Sequence, residues 1–236
     1  MLLSVVALLI SITVHEVSHG YASYKLGDDT AKQSGRLSLN PFAHINPVSF
    51  GLLVVLMLVS ALSGSGSGFV MSVLSVMICF TFANPVPVGG GALKNPRRDM
   101  AIISIAGPLS NIIVAFLSLV IIKYIAYLAL PLVAAANSAF GNYILYFTLY
   151  FFGYTAQLNV GLAMFNLVPI PPLDGSKILY CFLPKKALYT FVKYERYITI
   201  ALALLLIFNV LDMPLNWMGN RVLNGLDFLV GLLPPR

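Results

Sequence analysis

Charge is what this chain has least of. Lysine, arginine, aspartate and glutamate together make up 9% of its 236 residues, where a soluble domain carries about 25%. A water-facing surface cannot be assembled from so few charges, which excludes an ordinary soluble domain. Cysteine is equally scarce: Cys79 and Cys181 stand in different segments without CxxC spacing, so neither a disulfide framework nor a thiolate metal site is indicated. Histidine occurs three times, too few for a membrane di-iron hydroxylase, whose metals need more imidazoles. In place of charge the chain has 59% hydrophobic residues and a mean hydropathy of +0.90. Its expected solvent is lipid.

Apolar runs long enough to cross a bilayer fall at about 1–22, 47–63, 68–84, 100–123, 143–168 and 197–212. They predict an all-α integral membrane protein with about six transmembrane helices, a single membrane-embedded domain over 1–236 with its core in 1–180 and additional helices in 197–236. The second and third runs are short and joined by the Ser/Gly stretch from Ser63 to Gly68, which reads as a hairpin or a partly re-entrant pair. Val222 to Leu233 is short for a span and contains Asp227, so an interfacial helix is expected there. The first run has neither a basic leader nor a small-residue cleavage site, and is expected to stay in the mature protein.

Basic residues set the expected orientation. Lys25, Lys32 and Arg36 follow the first run, Lys94, Arg97 and Arg98 the third, and Lys177, Lys185, Lys186, Lys193 and Arg196 the fifth. Eleven of the 14 Lys and Arg thus share one face, which the positive-inside rule assigns to the cytoplasm, with both termini opposite. This bias and contact with anionic lipid account for the net charge of +6, which gives no support to nucleic-acid binding.

Two of the three histidines occur in HEVSH, where His15 and His19 flank Glu16 inside the first apolar run. Helical residues four apart share a face, so both imidazoles can reach one divalent metal while Glu16, one step round, can reach a metal-bound water. A catalytic zinc usually takes three protein ligands and leaves a fourth position open. Most of the eight acidic residues sit in basic loops or at far span ends, but Asp174 stands in FNLVPIPPLDG, just after span five and at the same end as His15 and His19. Pro169, Pro171 and Pro172 break the helix there, which is tolerated at membrane depth where the freed backbone is buried in protein or lines a polar cavity.

With these residues in view, the chain resembles the site-2 proteases, the M50 family of intramembrane zinc metalloproteases, in its compact class without PDZ or CBS domains. The match is carried by HEVSHGYASYKLGDDTAKQSGRLSLNP, by FANPVPV at Phe82 to Val88, by AGPLSN at Ala106 to Asn111, and by FNLVPIPPLDG at Phe165 to Gly175. Asn46 in HINP departs from the Asp expected of such sequences. The resemblance implies one Zn²⁺ held by His15, His19 and Asp174, with Glu16 as general base and Asn166 donating to the oxyanion of the tetrahedral intermediate. It also implies proteolysis of transmembrane protein substrates near the cytoplasmic side of the cell membrane.

The remaining signals are weaker. PVPVGGG cannot continue a helix, so Asn84, Pro85, Val86, Pro87 and Val88 are candidates for aligning an extended substrate, against the alternative of a stiff surface loop. Gly107 and Pro108 permit close helix approach, with Asn111 as a packing contact. His44 is either a donor near the site or a solvated loop histidine. Two other functions stay open: a catalytically inactive membrane scaffold, and a metal-ion carrier, which would need polar groups along a path across the bilayer. Substrate identity and oligomeric state are not legible.

Overall fold

The computed structural model describes residues 2–44, 51, 55, 87, 89, 93–136 and 138–234. Asn46, the expected runs at 47–63 and 68–84, the Ser63 to Gly68 stretch and Asn84, Pro85, Val86 and Val88 lie outside them. Among the described residues there are seven α-helices and no strand: α1 (Leu2–Lys25), α2 (Thr30–Gln33), α3 (Pro96–Ala136), α4 (Ala139–Asn166), α5 (Asp174–Phe182), α6 (Lys185–Ile207) and α7 (Asp212–Leu232), with a 3₁₀ turn at Pro41–Ala43. By length and composition α1 and α3 are apolar enough to cross a membrane.

The expected helical class is observed, and the count of six spans is met only in part. The run at 143–168 falls almost wholly within α4, and that at 197–212 ends early because α6 stops at Ile207. A turn follows in which Asn209 takes a φ of 58°, and the chain reverses into α7. Val222 to Leu233 is therefore the second half of a longer helix, packed against α3 and α4 with Leu226 and Val230 buried. Lys123 of α3 closes its end, donating from Nζ to the carbonyls of Val230 at 2.9 Å and Leu233 at 2.5 Å. A cation is electrostatically favoured at a helix C-terminus.

The long hairpin of α3 and α4 is the scaffold. Pro96 opens α3, where its missing N–H costs nothing, and Ser138 caps α4 by accepting from the Gly141 N–H. Between them pack Ala115, Ala156, Val160, Ala163 and Met164, with Leu226 of α7. The outer face of α3 carries Ile105, Leu109, Ile113 and Leu117, all exposed and four residues apart. Its inner face carries buried Ser104, Gly107, Asn111 and Ser118. Apolar outside and polar inside is the reverse of a soluble amphipathic helix, and it suits lipid as solvent. Inside α1, Ser11, Thr13 and Ser18 satisfy their hydroxyls on carbonyls four residues back.

The end of α1 is built tightly. Gly27 at φ +98° lets the Asp28 N–H bond Ser23 O and the Gly27 N–H bond Tyr24 O, a Schellman closure. Asp28 is then fully buried, accepting from Ser23 Oγ at 2.7 Å, from the Thr30 N–H and hydroxyl, and from the distant Gly89 N–H at 2.7 Å. Reading Asp28 as one more acid of a basic loop missed this anchor. Burial opposes its ionisation, yet the donors from Thr30, Ser23 and Gly89 outweigh it and hold its pKa below the ordinary 3.8. A depressed carboxylate stabilises the fold above the unfolded pKa, and that contribution is lost as pH falls through the folded value. Asp28→Asn turns an amide NH₂ toward these donors; thermal unfolding in detergent should show a midpoint lower by several degrees at pH 7, with the gap to the parent protein narrowing below about pH 4.

Candidate active site

His15 and His19 lie on one face of α1, one turn apart, with their rings nearly perpendicular at 87° and centroids 4.6 Å apart. His19 is fixed by α3: its Nδ1 lies 2.7 Å from the Ile103 carbonyl. Nδ1 must therefore carry the proton, and Nε2 is left to offer a lone pair. α3 can come this close because residue 107 is glycine. A Cβ there would collide with His19 Nε2 and stand 2.6 Å from His15 Cε1.

The third donor arrives from the other end of the chain. α4 ends at Asn166 and the proline-rich turn follows, with a cis bond between Pro171 and Pro172. Leu173, buried in a cluster with Phe165, Leu202 and Leu206, holds the turn against α6. Asp174 is then the first residue of α5, where a negative charge is favoured by the helix dipole. Gly175 sits so close to the carbonyls of Leu167 and Val168 that any side chain would strike them, so α5 is pressed onto the end of α4 and its carboxylate is aimed inward.

The result is a compact triangle. Asp174 Oδ2 lies 3.0 Å from His19 Nε2 and 3.2 Å from His15 Nε2, and the two Nε2 atoms are 3.0 Å apart. All three residues are buried. Donors bound at 2.0–2.2 Å to one tetrahedral ion stand about 3.3–3.6 Å apart, so a spread of a few tenths of an ångström around a shared cation is all that separates this arrangement from a metal site. The residues fit the group. Asp174 Oδ1 points the other way, 3.3 Å from the half-exposed Lys177 Nζ. Among the described residues this is the one cluster of His, Cys, Asp or Glu with metal-ligand spacing.

The other expected residues are placed unequally. Glu16 is buried on α1 between the two histidines in sequence. Asn166 is buried at the end of α4 with its Nδ2 donating to Leu162 O at 3.0 Å. Pro87 is half-buried. His44 is not a solvated loop residue: it is fully buried, its Nε2 2.7 Å from the Ser38 carbonyl, and it stands outside the triangle. Sequence reading missed Ile103, whose contribution is a backbone carbonyl and leaves no side-chain trace. It placed Gly107 only as a packing residue; the Gly-Pro pair inside an apolar helix was the available signal.

Against known proteins, the model of peptidase family M50 matches residues 3–208. The chain belongs to that family. It is 36% identical to YwhC of Bacillus subtilis, provisionally named a zinc metalloprotease, over 76% of this chain and 68% of that protein. It is 29% identical to Rip2 of Mycolicibacterium smegmatis, named in the same provisional way, over 71% and 52%, and 31% identical to the zinc metalloprotease MJ0392 of Methanocaldococcus jannaschii over 60% and 37%. The match thus covers about half or less of the latter two. No solved structure matches significantly.

Metal content separates the parts of this M50 site. Gly107→Ala should lose most bound metal by elemental analysis while retaining its helical circular dichroism. Asp174→Asn should do the same, whereas Glu195→Gln, on the exposed face of α6, should keep a full complement; the reverse order would unseat Asp174 as third ligand.

Proposed function

We propose that this M50 peptidase is an intramembrane zinc metalloprotease that hydrolyses peptide bonds in or near transmembrane helices of other membrane proteins. One observation carries the reading: a buried triangle of two imidazoles and a carboxylate, 3.0–3.2 Å on a side, built on a helix apolar and long enough to cross a bilayer. His15, His19 and Asp174 hold one Zn²⁺. Bound there, zinc would polarise the scissile carbonyl and acidify water near neutral pH. The ion's +2 is balanced by Asp174 and Glu16, so the apolar bundle does not host a bare charge.

Glu16 takes the proton released as water adds to the carbonyl, holds it in a buried setting, and delivers it to the departing amine. Asn166 turns its amide from Leu162 O toward the developing oxyanion. Asn84, Pro85, Val86, Pro87 and Val88 align the substrate in extended form, since a helical peptide must unwind before attack. The distribution of Lys and Arg supports a site on the cytoplasmic side and an N-terminus on the opposite one. The same chemistry requires no nucleic acid and no cofactor besides zinc.

The test is reconstituted protein in vesicles with a membrane-helix substrate. Glu16→Gln should retain one zinc per chain and show no cleavage; cleavage at the parent rate would refute the assigned base. Asn166→Ala should cleave about 10² to 10³ times more slowly at saturating substrate, the usual loss for one oxyanion donor. A parent protein that binds zinc and cleaves nothing would instead support a scaffold.

A further inference from the structure

Ser104, Gly107 and Asn111 recur at i, i+3 and i+7, and so line one face of α3. Gly107 touches both imidazoles. Its two polar neighbours on that face are buried, Ser104 at 1% and Asn111 at 0% exposure, and neither Ser104 Oγ nor either amide atom of Asn111 has a hydrogen-bond partner. α1 runs antiparallel beside this face, since His19 meets Ile103 while His15 meets Gly107. Continuing that register carries Asn111 toward Ser11, one turn before His15.

Ser11 already belongs to a polar layer. Asn159 of α4, fully buried, donates from Nδ2 to Ser11 Oγ at 2.8 Å and to Thr155 O at 2.8 Å. Both of its N–H groups are thereby used, and its Oδ1 has no partner. Ser11 in turn donates to Ala7 O. What remains unmet is a set of complementary groups: acceptors on Asn159 and Asn111 and the two donors of the Asn111 amide. An unmet buried polar group costs about 1–3 kcal/mol, so native proteins fill such places with water.

We propose that Ser11, Asn111 and Asn159 enclose an internal water site about one helical turn deeper in the bundle than the metal ligands, and that its water is the reserve from which peptide hydrolysis is supplied. Water fits because it both donates and accepts: it can accept from the Asn111 amide and donate to Asn159 Oδ1. A bound cation would satisfy the acceptors and leave the Asn111 NH₂ unpaired. Each turnover breaks one C–N bond, forms one C–O bond and moves one proton to the new amine, consuming one water. Ser104, on the other side of Gly107, offers its hydroxyl along the same face, so polar groups flank the ligands on both sides. The supply role rests on the proteolytic reading; the water site does not.

Two measurements decide it. A density map of the zinc-loaded protein at about 2 Å should show ordered water within about 3.2 Å of both the Asn111 amide and Asn159 Oδ1. A dry layer, the two amides bonded directly to one another, or a peak with cation coordination would overturn the site. Asn111→Leu, close in size, should keep its zinc and its KM but lose at least about tenfold in kcat, and Asn111→Ser should recover most of that loss. An unchanged kcat in Asn111→Leu, with the water gone from its map, would overturn the supply role. A parent protein that cleaves nothing would overturn the supply role together with the proteolytic reading, and the map would still decide the water site.

Discussion

Three electron-pair donors held about 3 Å apart, away from water, form the constraint around which the rest of this structure is arranged. Without a cation, only a proton shared among the two Nε2 atoms and the Asp174 carboxylate offsets the repulsion of their lone pairs at this distance, and burial strengthens that repulsion. A shared cation turns the same closeness into binding. The fold supplies closeness from three directions: α1 through its four-residue repeat, α3 through Gly107 and the Ile103 carbonyl, and α5 through the broken end of α4. Each contact is short-range and backbone-based, which keeps the donors in place with little freedom for side chains to relax away.

Lipid as solvent explains where such a site can be built. Helices facing lipid gain nothing from apolar burial against one another, so packing depends on small residues and on polar groups that satisfy each other inside. The α3 helix shows both: leucine and isoleucine outward, serine, glycine and asparagine inward. A polar interior that already exists for packing is also the place where a metal and its ligands cost least to bury. The bundle interior and the site are therefore one feature, and the buried hydroxyls of α1 continue it toward the N-terminal end of that helix.

Much of the site was legible because its chemistry resides in rare side chains. Two histidines out of three in one five-residue motif, and one aspartate beside a triple-proline break, stand out in a chain with eight acids. The all-helical class was legible for the same reason that charge is scarce. What could not be read was carried by backbone or by surroundings. The Ile103 carbonyl has no side-chain signature. Asp28 resembles any loop acid until Ser23, Thr30 and Gly89 are seen to converge on it. His44 gave no sign of burial, because its neighbours are brought by a loop. The end of α6 at Ile207 was missed because the apolar run continues through the turn that Asn209 makes; hydropathy registers composition, while the left-handed residue that reverses the chain is a backbone property.

The His–Asp triangle and the buried Asp28 anchor meet on α1. Ser23 lies four residues beyond His19, about 6 Å further along the helix axis at 1.5 Å per residue, and it bonds Asp28, which holds the Gly89 N–H. The rod that carries His15 and His19 therefore also carries the anchor for Gly89, sixty-one residues away from Asp28 in sequence. Because an α-helix does not stretch, any displacement of α1 moves the two histidines and the anchor together. The distance from the metal triangle to Gly89 is thus set by covalent geometry over His19 to Ser23 and by two hydrogen bonds, with no apolar packing required to define it. In a bilayer, where apolar contacts between helices are no stronger than those with lipid, that is the more dependable way to hold Gly89 in register with the His–Asp triangle.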